Sequence, residues 1–196
     1  MSTRRELADG GVVELFDAWL SREDADLAFT SLLAEVPWTQ GTIVMFGREL
    51  REPRLSAWLG DEGAGYTYSG RRLVPAPWTK TTAALRDAAS SVAGCAFNSV
   101  LVNRYRDGND SMGFHADDEP ELGPDPVIAS VSLGAARRFV LRHRKDRASS
   151  LSLTLPHGSL LVMAGTTQRF HRHAVPKTRD AGERLNLTFR RILLPD

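Results

Sequence analysis

Cysteine is nearly missing from this chain of 196 residues: Cys95 is the single one. An internal disulfide and a cysteine-ligated zinc site are therefore both excluded. Long apolar runs are missing too, and nothing approaches the ~18 residues of a membrane span. The opening Met1-Ser2-Thr3-Arg4-Arg5-Glu6 is charged, without the apolar stretch of a secretory signal. Sixteen glycines and ten prolines sit near the ordinary level of roughly 12%, and there is no repeat or low-complexity tract. What is present is a 42% apolar fraction, enough for a packed core. The expectation is a soluble, cytoplasmic, monomeric protein forming one domain over 1–196, with no membrane partner.

A net charge of +1 hides an uneven distribution. Residues 1–36 carry eight acids against three arginines, whereas 137–147 carry six bases against Asp146. Such asymmetry is compatible with a polyanionic partner on one face. A solvated hairpin has the same composition, so charge alone does not establish nucleic-acid binding.

Ala25, Ala28, Phe29, Leu32, Leu33 and Val36 recur at helical spacing, with Ser21 as N-cap and Pro37 as terminator. Residues 38–77 are punctuated by Gly and Pro and read as short strands and loops. A second helix is expected from about Thr79 to Val92, stopped by Gly94. From Phe97 onward the pattern alternates. Strands are expected at 97–106, 112–117, 127–134, 137–144, 151–155, 159–163, 170–175 and 184–193, separated by turn signals. Eight short strands favour a sandwich or barrel, jelly rolls among them. The scheme is a 1–35 extension with the first helix, a second helix, and a β core over 97–196.

His115-Ala116-Asp117 places an imidazole and a carboxylate on one face of an extended strand. Alone, His-x-Asp is a common surface pair. A third ligand changes its meaning, since two histidines and a carboxylate with open positions form the facial triad of non-haem Fe(II) oxygenases. His143 and His157 fall in a basic hairpin and a turn, both read as solvent positions. His171 and His173 share a strand face, and spacing does not choose between them. In Arg184–Arg190 the residues at 184, 186, 188 and 190 are polar and those at 185, 187 and 189 apolar. Either the polar face meets water, or Arg184 and Arg190 enclose a carboxylate, for which the guanidinium fork is well shaped. Asn103 and Tyr105 share a face and offer hydrogen bonds to an oxygen-rich ligand. No Ser-His or Cys-His arrangement points to a nucleophilic enzyme.

Several segments in this order resemble AlkB-type nucleic-acid dioxygenases. They are Phe97-Asn98-Ser99, Asn103-Arg104-Tyr105, His115-Ala116-Asp117-Asp118-Glu119, Ile128–Ala135, His157–Leu161, His173-Ala174-Val175-Pro176 and Arg184–Arg190. Upstream, Val36-Pro37-Trp38, Pro53-Arg54-Leu55 and Tyr66–Gly70 extend the likeness over roughly 36–196. The resemblance implies an α+β protein: a double-stranded β-helix (jelly-roll) core with two N-terminal supporting helices. It implies Fe(II) on His115, Asp117 and His173, with 2-oxoglutarate as cosubstrate beside O2. Arg184 would grip the distal carboxylate, with Asn103, Tyr105, Asn186 and Arg190 completing the site. Trp38, Tyr66, Tyr68 and Asp118 match positions that contact the nucleotide. The implied reaction is oxidative dealkylation of bases of the 1-methyladenine and 3-methylcytosine type, releasing formaldehyde, succinate and CO2. A target base must be flipped or single-stranded. Residues 46–53 are mostly charged where some relatives carry an apolar wedge, so single-stranded DNA is the expected substrate, with RNA and duplex DNA as further ones. Phe46 is the one residue there able to intercalate, while Arg48, Arg51, Arg54 and the 137–147 hairpin are candidates for phosphates. The rivals are a small-molecule or protein hydroxylase on the same scaffold, and a non-catalytic binding module.

Overall fold

The computed structural model describes residues 1–45, 48–68, 71–146 and 148–193, with the side chains of 44, 45, 66–68 and 71–73 excepted. The chain opens with strands β1 (Ser2–Glu6) and β2 (Gly11–Phe16), then helix α1 (Arg22–Glu35). Two small hairpins follow, β3 (Thr42–Met45) with β4 (Arg48–Arg51), and, beyond β5 (Leu55–Gly60), β6 (Tyr66–Tyr68) with β7 (Arg71–Leu73). Helix α2 is Lys80–Ala93. The later strands are β8 (Ser99–Tyr105), β9 (Met112–His115), β10 (Ile128–Gly134), β11 (Arg137–His143), β12 (Ser150–Leu155) and β13 (Ser159–Gly165). A single turn, α3 (Thr167–Phe170), leads into β14 (His171–Val175), and β15 (Arg184–Arg190) ends the fold.

Local chemistry sets the helix ends where the sequence places them. Ser21 Oγ accepts from Asp24 N at 3.1 Å, and Val36-Pro37 leaves the helix in extended conformation. Thr79 and Thr82 form a reciprocal capping box at the start of α2. Gly94 ends it in the left-handed region, φ 60°.

Two antiparallel sheets face each other. The larger runs β1-β2-β13-β10-β15-β8-β5 and the smaller β12-β11-β14-β9, which is the double-stranded β-helix arrangement. Strand alternation gives the larger sheet two buried faces. Val100, Val102, Val131, Leu133, Leu185, Leu187 and Phe189 pack under α1 and α2 with Leu32, Leu85 and Ala89. On the other face Tyr105, Ile128, Leu161 and Met163 meet Met112, Phe139, Leu141 and Val175 of the smaller sheet. The polar residues of β15 thus point between the sheets and not into water.

The N-terminal segment is more than an extension. Val13 and Leu15 are buried, and β2 pairs with β13 in a register joining Val13 to Met163. Strand β5 also joins this sheet, beside β8. The sheet therefore draws on residues well upstream of 97. Short apolar pairs on both sides of Glu14 (Val12-Val13 and Leu15-Phe16) mask the alternation that signals a strand.

Candidate active site

The antiparallel pairing of β9 with β14 sets His115 directly opposite His173. Their ring centroids lie 4.2 Å apart, edge to face. The chain leaves β9 just after His115, and Asp117 turns back between them. Its Oδ1 is 4.0 Å from His115 Nε2, and its Oδ2 is 3.9 Å from His173 Nε2. One ligand atom from each of the three falls within 4.8 Å of the others. His171, two residues earlier on the strand, does not join them: it pairs with His143, at 5.2 Å between ring centroids.

Electrostatics prepare this cluster for a cation. Burial pushes the Asp117 carboxyl up, but Arg190, His173 and His115 outweigh it and hold the group at about 2. Burial and His115 together pull His173 down to about 3, against Asp117, which raises it. Burial likewise lowers His115. One carboxylate and two neutral imidazoles are the protonation states a divalent metal requires. Asp117 Oδ2 is buried without a hydrogen-bond partner among the described residues, although a lone buried acceptor is costly. The donor set thus fits Fe(II). Neighbours orient the ligands: Arg190 Nη2 donates to Asp117 Oδ1 at 2.6 Å, and Asp117 N donates to Gln168 Oε1 at 3.0 Å. His115 Nδ1 lies 3.0 Å from Gly113 O, and Phe139 stacks on His173.

Behind the triad, β15 and β8 pair Arg184 with Tyr105 and Asn186 with Asn103. Asn103, Tyr105, Asn186 and Arg190 line the same cavity as His115 and His173. Arg184 is 1% exposed, and its Nη2 donates to Ser132 Oγ at 2.8 Å. Its Nε and Nη1 have no hydrogen-bond partner among the described residues, while its guanidinium lies 5.2 Å from the Tyr105 ring centroid. Burial pulls Arg184 down to about 10, and Arg137 adds to the effect. A buried cation with two idle donors fits a carboxylate end of 2-oxoglutarate. The others are already engaged: Asn186 Nδ2 donates to Ser130 Oγ and Val131 O, and Asn103 Oδ1 accepts from Arg54 Nε.

Several expectations require correction. Trp38 packs with the helix-side core, its Nε1 donating to Leu33 O and Arg104 lying over its ring. Arg104 alternates with Asn103 on β8, so Trp38 sits on the face of the sheet away from the triad. Asp118 needs no such correction: it is exposed, with one oxygen held by Arg144 Nη2 at 2.6 Å. Arg54 is no phosphate ligand, being buried against Glu52 at 3.1 Å. Arg137 is buried as well and leaves the basic hairpin's outer face. His143 and His157 are half-buried, the first bonded to Asp9 and the second accepting from Gly134 N. The side chains of Tyr66 and Tyr68, and Phe46 altogether, lie outside the described residues. Sequence reading missed Gln168 and the inward Ser130 and Ser132; the Ser-x-Ser alternation of β10 is the one signal that points to the last two.

Comparison with known proteins places this geometry in context. The profile described as "2OG-Fe(II) oxygenase superfamily" matches residues 12–190. Human "DNA oxidative demethylase ALKBH2" is 44% identical over 184 residues, covering 88% of this chain and 70% of its own. The Mus musculus protein of that name is 40% identical over 200 residues, covering 96% and 84%. Human "Alpha-ketoglutarate-dependent dioxygenase alkB homolog 3" is 37% identical over 188 residues, covering 91% and 65%. Among solved structures, "The structure of OsALKBH1" superposes with a TM-score of 0.65 at 18% identity, covering 96% of this chain and all of that one.

Proposed function

Because the chain belongs to the 2OG-Fe(II) oxygenase superfamily, we propose that it is an oxidative demethylase of alkylated DNA bases. The observation that carries the reading is the His115–Asp117–His173 cluster, its last two members buried, together with the buried cation Arg184, whose Nε and Nη1 have no hydrogen-bond partner among the described residues. The names and high identity of the relatives support the substrate class. Fe(II) and 2-oxoglutarate, with O2, supply the oxidation: the keto acid leaves as succinate and CO2, and the oxidised N-methyl carbon leaves as formaldehyde.

The chain's own residues do the rest. His115, Asp117 and His173 would hold the metal with neutral imidazoles and one ionised carboxylate. Arg190 keeps that carboxylate ionised and fixes its orientation. Arg184, buried between the sheets, would bind the far carboxylate of the cosubstrate, and a charge-assisted bond is strong in such surroundings.

The outer face of the smaller sheet supports a polyanionic substrate. Arg142 stands directly opposite Arg172 on the neighbouring strand, and both are exposed. Like charges in that register are destabilising unless an anion joins them. Exposed Phe114 lies under Arg142 at 4.5 Å. The preference for single strands rests on the charged, exposed β4, of which Arg48, Glu49 and Arg51 are part. The decisive experiment is formaldehyde release from matched single- and double-stranded oligonucleotides carrying 1-methyladenine or 3-methylcytosine, with wild type and Phe46→Ala. Release from either refutes the small-molecule and protein hydroxylase readings. Faster duplex repair that collapses in Phe46→Ala refutes the single-strand preference alone.

A further inference from the structure

Arg137 is a further guanidinium buried between the sheets, in addition to Arg184 and Arg190 of β15, and is 2% exposed. Its hydrogen bonds go to backbone carbonyls: Nη1 to Asp107 O at 3.2 Å, and Nη2 to Asp110 O and Pro176 O, each at 2.8 Å. Its Nε has no hydrogen-bond partner among the described residues. The nearby Asp110 carboxylate is taken by Arg106, which grips both oxygens. Arg137 thus keeps a cation in the interior without a carboxylate of its own, an arrangement with a substantial desolvation cost.

Its position gives the cost a purpose. The Arg137 guanidinium lies 5.6 Å from the Tyr105 ring centroid, and that of Arg184 lies 5.2 Å from it. Two buried cations therefore share one phenol ring; the charge of Arg137 adds to burial in lowering Arg184, against Tyr105, which raises it. Such a pair repels until an anion arrives. The three carbonyl bonds also tie Arg137, beside the Tyr105 ring, to the loop before β9 and to the exit of β14, the strands that carry His115 and His173.

We propose that Arg137 is a positioning residue for the distal carboxylate of 2-oxoglutarate, acting through the Tyr105 ring and through its own charge. The proposal rests on the reading that this cavity takes 2-oxoglutarate. It predicts that Arg137 selects for a dicarboxylic 2-oxo acid without contacting the metal or the base. Arg184 supplies the direct contact, and Arg137 sets the orientation of Tyr105 and the field in which the carboxylate sits.

The test is equilibrium binding to the metal-loaded protein without O2, using 2-oxoglutarate and 2-oxobutyrate, which has the same 2-oxo acid head and no distal carboxylate. Arg137→Gln is expected to weaken 2-oxoglutarate about tenfold, equal to about 1.4 kcal/mol, and 2-oxobutyrate less than twofold. Arg137→Lys keeps the charge but loses the three-carbonyl grip, and is expected to cut the preference for the diacid about threefold. If Arg137→Gln fails to fold, the lysine variant decides. Equal weakening of both acids would mean that Arg137 only supports the fold, and overturns the proposal, as does no change in either. Failure of the wild type to bind 2-oxoglutarate overturns the parent reading instead.

Discussion

Replacing Arg184 by lysine gives the sharpest examination of the cosubstrate site. The charge survives, but the planar fork does not. Arg184 spends Nη2 on Ser132 and leaves Nε and Nη1 for a ligand. A carboxylate can pair Nη1 with the second hydrogen of Nη2, the end of the fork, and a lysine ammonium offers a point charge in place of that pair. Losing one charge-assisted hydrogen bond costs about 1.5–3 kcal/mol, or roughly ten- to 150-fold in affinity. The KM for 2-oxoglutarate should rise by that factor, while kcat at saturating cosubstrate changes little. Steady-state formaldehyde release at varied 2-oxoglutarate reads both constants, and direct titration of the metal-loaded protein without O2 checks the binding term. A thermal melt shows whether the buried site tolerates the change. A KM within twofold of wild type in a folded variant would remove Arg184 from the site.

Other outcomes follow from the same geometry. His173→Ala should lose Fe(II) binding and turnover, whereas His171→Ala, facing His143, should retain measurable activity; metal analysis of the purified variants decides. Asp110 is buried, which raises its pKa, but bonds from Arg106 and the charge of Arg137 outweigh this and lower it. A depressed carboxylate stabilises the fold above its unfolded value, about 3.9, and loses that contribution as pH falls through the folded value. Thermal melts of Asp110→Asn should therefore show a smaller loss of stability below about pH 4 than wild type; identical slopes would refute the assignment. Gly134→Ala should cost about 1–3 kcal/mol in urea denaturation, because Gly134 has φ 87° and a Cβ would run into Glu183 O and come within 2.7 Å of Phe29. An unchanged midpoint would show that the turn relaxes freely.

Much of the fold was legible because its signals are local. Ser21, Thr79 and Gly94 act on their own helix termini, so those boundaries fall within a residue or two of expectation. The alternation in β15 was legible as well, though alternation alone does not say whether the polar face meets water or a second sheet. Packing of the smaller sheet decided that for Arg184 and Arg190. Harder cases depend on distant partners. Arg137 looks like one base among six in a charged hairpin, and its burial follows from carbonyls at 107, 110 and 176. Arg54 was mistaken for the same reason, since Glu52 and Asn103 define its surroundings. Trp38 follows a helix end that swings it under α1, a direction that no residue type near it encodes. Spacing alone did not separate His173 from His171; the family resemblance did, and the β9–β14 register sets His173 opposite His115.

The pairing of β2 with β13 has a consequence during synthesis. Val13 leaves the ribosome about 150 residues before Met163, its partner across the ladder. At 5–20 residues per second, the strand waits roughly 8–30 s for the neighbour that covers it. Meanwhile β1 can pair with it at once, since Ser2 meets Phe16 and Glu6 meets Val12 within sixteen residues of nascent chain. Every residue of β1 is exposed, and Arg4, Arg5 and Glu6 put charge on that rim. Charged rims discourage another strand from adding. The nascent hairpin therefore carries its own protection against mispairing while the sheet that will receive it is still being made.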